Sequence, residues 1–267
     1  MVMALELDST SGLSGTDKPE HTIHILYQDE HVVAMDKPPG LLVHRSPIDK
    51  RETQFAVQQL RDKVGRHVYP VHRLDRPTSG VLLFAFDGQT ASALGQAMMN
   101  KQIAKRYVAL VRGWMFGSGF IDYALSFKRD KYADAHRGEN IPPQSAQTEY
   151  ETLQRFLLPE PVGRYAEARY SLVALQPFTG RKHQLRRHLV HLRHPIIGDT
   201  THGDGKQNKF AREYFDFGHL ALTCTHMHFI HPVTNKRISV STTPHGGFSR
   251  MLATLEAYRC DTLTLKN

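Results

Sequence analysis

The sequence has little cysteine and no long apolar segment. Its 267 residues include two cysteines, Cys224 and Cys260, too few for a disulfide framework or a cysteine-rich zinc site. Nowhere does it contain the run of about 18 apolar residues that a membrane-spanning helix needs. Residues 1–20 lack the basic start and the apolar stretch of a signal peptide. These absences predict a soluble protein of a reducing compartment, the cytoplasm.

Positive charge, in contrast, is in excess. Lys and Arg number 34 against 26 Asp and Glu, which gives a net charge of +8 with histidine neutral. Residues 1–22 carry four of the acidic residues and a single lysine, so the rest of the chain bears +11. This excess favours a phosphate-rich partner, although it does not specify a fold.

The pattern of apolar residues predicts a single domain after a loose tail. Residues 1–22 are rich in Ser, Thr, Gly and Asp without periodicity, and no interdomain linker interrupts residues 23–267. Strand-like runs occupy residues 23–28, 31–37, 79–86, 105–113, 146–156, 168–178, 220–232 and 236–242, and helical spacing occupies residues 89–101, 182–194 and 248–259. Residues 128–144 are typical of an exposed loop. This order predicts an α+β fold, a mixed and largely antiparallel β-sheet with flanking helices.

One acidic residue lies in a segment that can carry chemistry, VHRLDRPTSGVLL at residues 71–83. Asp75 precedes turn residues that lead into an apolar strand, so we expect it on a short loop that solvent reaches. His72, Arg73 and Arg76 would surround it with positive charge and favour its ionised form, which can act as nucleophile or base. The same local composition is also typical of a turn aspartate paired with a neighbouring arginine.

The second such segment is a strongly basic helix. Residues 181–194 include five cations, and Leu185, Leu189 and Leu192 form an apolar stripe that would pack the helix on the sheet. The basic residues would then project away from the sheet, and Pro195 would end the helix. Like charges one turn apart repel each other, and phosphate contact would offset that repulsion. A solvated face and a nucleic-acid surface both fit this pattern.

Seventeen histidines raise the question of a metal. Possible ligand groups are Asp199, His202 and Asp204, or His226, His228 and His231, but no HExxH arrangement is present. We therefore interpret them as hydrogen-bonded or surface residues and expect no metal. A metal-dependent phosphoesterase is the corresponding alternative function.

A third segment, KRYVALVRG, places Lys105 and Arg106 before Tyr107 on a strand. An aromatic ring beside cations suits base stacking next to phosphate binding. A strand tyrosine that covers the core has the same local pattern.

Together these segments resemble the RluA-type pseudouridine synthases. DKPPGLLVH (36–44) is similar to the family's Lys-Pro-x-Gly-Leu segment, HRLDRPTSG (72–80) to its HRLDxxTSG signature, and KRYVALVRG to its Lys-x-Tyr strand. TGRKHQLRRHL with PIIGD resembles its GRxHQLRxH and PIxGD elements. All occur in the family's order over nearly the whole body of the chain.

The resemblance implies a central RNA-binding cleft and a set of roles. Asp75 corresponds to the catalytic aspartate, Tyr107 to the aromatic residue that stacks on the target base and removes its C5 proton, and Arg186 to the basic partner of the aspartate. Arg73 corresponds to the arginine that fills the gap left by a flipped nucleotide. Further RNA contacts are expected from Lys105, Arg76, Arg181, Lys182 and Arg187. The reaction needs no cofactor.

The resemblance also predicts the substrate. The run GRYAEARYSLVALQPFTGRKHQLRRHLVHLRHPIIGDTTHGD (163–204) is most similar to members that act on uridine 65 of tRNA. The residues before the first strand are too few for an N-terminal S4 RNA-binding module, and DKPPG replaces the usual NKPSG. We expect a monomer that binds tRNA; a synthase for ribosomal RNA and a non-catalytic RNA-binding module are the alternatives.

Overall fold

The computed structural model describes residues 23–45, 53–127 and 141–260. The tail predicted at residues 1–22 and most of the loop predicted at residues 128–144 lie outside these ranges. Within them, the expected α+β architecture is confirmed: one large sheet carries helices on its flanks. No helix in these ranges is both long and apolar enough to cross a lipid bilayer.

Within the described residues, the sheet contains eleven strands. They are β1 (His24–Gln28), β2 (Val32–Lys37), β3 (Tyr69–Pro70), β4 (Ser79–Ala85), β5 (Ala104–Arg112), β6 (Ser118–Asp122), β7 (Gln147–Leu158), β8 (Ala168–Pro177), β9 (Leu222–Ile230), β10 (Arg237–Ser241) and β11 (Arg259–Cys260). The helices are α1 (Ala56–Val64), α2 (Gly88–Met99), α3 (Gln184–His191), α4 (Gly205–Phe215) and α5 (Gly247–Glu256).

Strand order brings distant segments together at the centre of the sheet. The main path runs β1-β2-β4-β9-β5-β8-β7-β11, while β3 pairs with β4, β6 with β7 and β10 with β9. The β4–β9 pair is parallel, with Ser79 opposite Thr223 and Gly80 opposite Cys224. All other strand pairs in the described ranges are antiparallel. The segment before β4 and the middle of β5 therefore become neighbours through β9.

Burial explains why these segments form strands. Every residue of β2 and β4 is buried, because these central strands are covered on both faces, and apolar residues fill positions 32–35 and 81–85. On α3, Leu185 and Leu189 face the core, as the apolar stripe in the sequence of this helix predicts. All eight predicted strands and all three predicted helices correspond to observed elements. Helices α1 and α4 and the short strands β3, β6 and β11 were not predicted.

The prediction for the basic helix was wrong at both ends. It starts at Gln184 and ends at His191, so Lys182 and Arg193 lie outside it. Arg193 adopts a left-handed backbone with φ of 64°, which stops the helix before Pro195 is reached. The expectation that its basic residues point away from the sheet also fails for Arg186, whose side chain is only 3 % exposed.

Candidate active site

The structure brings Asp75, Tyr107 and Arg186 to the wall of one cavity of about 360 Å³. Three segments form most of this wall: the loop between β3 and β4, strand β5, and the segment from the end of β8 into the first turn of α3. Met98 of α2 and Leu222 of β9 complete it. Three motifs that are far apart in the chain therefore meet at one place, as the resemblance implied.

The Asp75 loop is held from two sides. On one side, Gly80 runs so close to β9 that a Cβ atom would overlap the carbonyl oxygen of Cys224, and its φ of 106° suits glycine alone. On the other side, the fully buried Lys37 ammonium donates to the carbonyl oxygens of Pro38, Leu41 and Arg76 at 2.9, 2.7 and 3.1 Å. Burial lowers the pKa of Lys37 to about 7. These contacts position the backbone on both sides of the carboxylate.

Arg186 links two carboxylates. Its Nε and Nη2 donate to Asp199 Oδ2 and Oδ1 at 2.8 and 2.7 Å, a bidentate pair in which both side chains are almost completely buried. Its Nη1 donates to Asp75 Oδ2 at 3.3 Å. The geometry agrees with the expected Arg186–Asp75 contact but shows that Asp199 is the stronger partner. Sequence reasoning missed this role because it treated Asp199 only as a possible metal ligand.

Two histidines complete the surroundings of the aspartate. His183 Nε2 lies 3.9 Å from Asp75 Oδ2, and its Nδ1 lies 2.9 Å from His202 Nε2. Burial lowers the pKa of His183, so the ring is neutral at physiological pH. Its left-handed backbone, with φ of 55°, turns the chain into α3. Sequence reasoning counted His183 among the surplus histidines and did not assign it to the site.

Tyr107 is buried beside the aspartate. It is 8 % exposed and pairs across the strands with Cys224 of β9. Burial, together with Cys224 and the charge of Asp75, raises the pKa of Tyr107 well above its usual 10. Its hydroxyl is therefore protonated at neutral pH, and its ring forms part of the cavity wall.

Cations line the rest of the cavity. Arg73, Lys105, Arg181 and Lys182 all contribute to the wall, and Asp75 is the single carboxylate among the described residues that line it. Burial lowers the pKa of Lys105. Cations surround one carboxylate in this cavity. The cavity therefore suits a ligand whose neutral group lies next to Asp75 and whose negatively charged groups contact the surrounding cations.

Two predicted RNA-binding arginines lie elsewhere. Arg76 donates through Nε to the carbonyl oxygen of Gly40 at 3.0 Å, and Arg187 donates through Nη2 to Ser126 Oγ at 2.9 Å. Neither belongs to the residues that line the cavity. Their predicted contact with RNA stays a prediction.

The structure contradicts the expectation that His72 carries a positive charge. Its Nε2 accepts a hydrogen bond from the backbone N–H of Leu83 at 3.2 Å, which requires a neutral ring, and burial lowers its pKa to about 3. The expectation that His72 adds positive charge next to Asp75 was therefore wrong.

The possible metal ligands have other partners. Asp199 binds Arg186, Asp204 binds Arg112 Nη1 at 2.7 Å, and His231 Nε2 lies 3.1 Å from Asp29 Oδ2. Within the described ranges, no three His, Cys, Asp or Glu side chains form a group that could hold a metal ion.

A mixed sheet whose cationic cavity holds one carboxylate in an HRLDRPTSG segment defines a class of enzymes, the RNA pseudouridine synthases. Residues 31–191, more than half of the chain, match the family described as RNA pseudouridylate synthase. The chain belongs to this family, which confirms the resemblance seen in the sequence.

Bacterial relatives are similar over most of their length. A protein of Vibrio vulnificus (strain CMCP6) named tRNA pseudouridine synthase C is 50 % identical over 218 residues, which cover 82 % of this chain and 89 % of that protein. A protein of the same name from Yersinia pestis is 50 % identical over 219 residues, covering 82 % and 85 % of the two chains.

Solved structures agree with the fold. Human RNA pseudouridylate synthase domain containing 4 superposes with a TM-score of 0.61 at 25 % identity, covering 87 % of this chain and 92 % of that chain. Human RNA pseudouridylate synthase domain containing 1 superposes with a TM-score of 0.64 at 23 % identity and covers 91 % and 100 %. The second likeness concerns the fold alone.

Proposed function

We propose that this enzyme converts uridine 65 of tRNA to pseudouridine, with Asp75 as its catalytic carboxylate. The observation that carries the proposal is the position of Asp75, a carboxylate in a cavity lined by cations. The tRNA substrate is supported by the names of relatives that share half of their residues with this chain. Position 65 is supported by the resemblance of residues 163–204.

The reaction rearranges bonds within one nucleotide. The C1′–N1 bond breaks, the uracil rotates, and a C1′–C5 bond forms; N1 gains a proton and C5 loses one. Asp75 either attacks the sugar or assists elimination to a glycal. Arg186, which Asp199 holds in place, keeps the Asp75 carboxylate directed into the cavity through its contact at 3.3 Å.

Tyr107 has two assigned roles in this mechanism. Its ring stacks on the uracil, and its hydroxyl accepts the C5 proton. Because the pKa of Tyr107 is raised, the phenolate is scarce at neutral pH. The hydroxyl of Tyr107 therefore has to lose its own proton to solvent before its oxygen takes the proton from C5, and N1 of the uracil takes a proton from solvent in return.

The uracil has to leave the base stack before its glycosidic bond can be reached, at a cost of a few kcal/mol. Arg73, exposed at the rim of the cavity, would fill the gap that the flipped nucleotide leaves. Lys105, Arg181 and Lys182 would bind phosphates next to it. We infer that a monomer binds tRNA through this surface. We infer that it does so in the cytoplasm, because two cysteines are too few for the disulfide framework of a secreted protein.

The test is tritium release from tRNA that carries C5-tritiated uridine. We expect the wild type to release tritium and Asp75→Asn to release none, while its RNA affinity stays within about threefold because phosphate contacts dominate binding. Pseudouridine mapping of the product tRNA should locate the change at position 65.

A different experimental result would refute each part of the proposal. Release from ribosomal RNA but not from tRNA would refute the substrate. Full release by Asp75→Asn would refute the catalytic role, and absence of release from every RNA would favour a non-catalytic RNA-binding module.

A further inference from the structure

A second cavity of about 390 Å³ opens beside the cavity that holds Asp75. The last turn of α2, the start of β5 and residues 176–181 line it. Lys105, Gly180 and Arg181 belong to the walls of both cavities. The two cavities therefore adjoin, and a polymer chain with one nucleotide at Asp75 would pass this side cavity.

The charged residues that line the side cavity are all cations. Lys101, Lys105 and Arg181 contribute to its wall, and no Asp or Glu of the described residues does. Arg181 is anchored at this place because its Nε donates to the carbonyl oxygen of Ser145 at 3.1 Å. An arrangement of cations without a carboxylate attracts a phosphate.

Apolar side chains lie exposed between these cations. Met99 is 68 % exposed at the end of α2, and Met98 lies next to it. Phe178 also lines the cavity. The centroid of its ring lies 5.9 Å from that of Phe120, which is 57 % exposed. Thioether and aromatic groups beside cations provide the surface on which an unstacked base rests.

We propose that the side cavity binds the nucleotide next to the target uridine, with its base against Met99 and Phe178 and its phosphate at Lys101 and Arg181. A volume of this size accommodates one nucleotide. The inference rests on the proposed function, since it assumes that RNA with a flipped uridine occupies the first cavity. It adds that a second base leaves the stack and contributes to recognition of the site.

The experiment uses the full chain and a tRNA fragment that contains the target uridine. 2-Aminopurine, whose fluorescence rises when it leaves the stack, replaces the base on the 5′ side of the target in one RNA and on the 3′ side in another. We expect the wild type to raise the fluorescence of one of the two RNAs. The double variant Met99→Ala with Lys101→Asn should abolish this rise and lower kcat/KM for tritium release about five- to tenfold.

The variants are chosen to leave the fold intact. Met99 is exposed, and Asn tolerates the left-handed backbone of Lys101, whose φ is 59°. The matched control is Val233→Ala with Lys209→Gln, which also removes one exposed apolar side chain and one exposed lysine, on residues that line neither cavity. The control should retain both the fluorescence rise and the wild-type kcat/KM.

The outcomes separate this inference from the proposed function. If the wild type releases tritium but neither labelled RNA brightens, or if the side-cavity variant matches its control, the side cavity does not bind a neighbouring nucleotide. If the wild type releases no tritium from any RNA, the proposed function itself fails.

Discussion

Asp199→Asn tests the way in which the fold positions Arg186. The substitution keeps the shape of the side chain but removes the charge that accepts two hydrogen bonds, at 2.7 and 2.8 Å, from a guanidinium that is 3 % exposed. Removing one partner of a buried ion pair costs about 3 to 5 kcal/mol, because the other charge stays buried without compensation. The remaining contact of Arg186 with Asp75, at 3.3 Å, is too long to replace it.

Thermal unfolding followed by circular dichroism measures this loss. For a chain of this size, 1 kcal/mol shifts Tm by about 2 to 4 °C, so we expect Asp199→Asn to lower Tm by roughly 10 °C. The matched control is Glu213→Gln, which breaks an exposed pair with Lys209 at 3.7 Å and should cost less than about 0.5 kcal/mol. If the two variants unfold at the same temperature, the reasoning is refuted.

The same pair predicts the pH dependence of stability. Arg186 and two backbone N–H groups outweigh burial and hold the pKa of Asp199 below its usual 3.8. A lowered pKa in the folded state means that the stabilisation is present above the usual value and is lost as the pH falls through the folded value. The difference in stability between wild type and Asp199→Asn should therefore shrink as the pH falls below the usual 3.8 and through the lowered folded value.

A double variant separates stability from activity. Arg186→Met with Asp199→Leu replaces the buried ions by apolar groups and should recover most of the lost stability. Tritium release should stay low, because Asp75 then lacks the guanidinium that orients it. Recovery of both stability and activity would show that Arg186 acts only on the fold.

Two further predictions concern Gly80 and Tyr107. Gly80→Ala should lower the free energy of unfolding by more than about 2 kcal/mol, because the added Cβ meets the backbone of Cys224. The control Gly95→Ala has open space around it in α2 and should not lower the stability. Equal urea midpoints for the two variants would contradict this prediction. Tyr107→Phe should bind RNA as the wild type does and release little tritium. When a primary isotope effect at C5 shows that proton removal limits kcat, wild-type kcat should rise with pH from about 7 to about 9 as the phenolate fraction grows. A flat profile under that condition would exclude Tyr107 as the proton acceptor.

Local patterns in the sequence were sufficient for much of the fold and for the principal site residues. Alternating and continuous apolar runs predicted eight strands, because burial on one or both faces leaves that signature in consecutive residues. Helix α4 was missed because GKQNKFAREYF is largely polar and its start depends on the Asp204 side chain, which accepts from two backbone N–H groups. Asp75, Tyr107 and Arg186 were predicted as site residues from motifs that occur within short segments, and the structure places all three in the wall of one cavity.

Contacts between segments far apart in the chain were decided by tertiary structure. The parallel pairing of β4 with β9, the bidentate Asp199–Arg186 pair and the neutral state of His72 each join residues that no local pattern connects. Secondary structure follows from periodicity over a few residues, which the sequence displays directly. The partner of a buried charge, in contrast, is selected by packing of the whole sheet, because only the folded chain excludes the water that would otherwise solvate that charge.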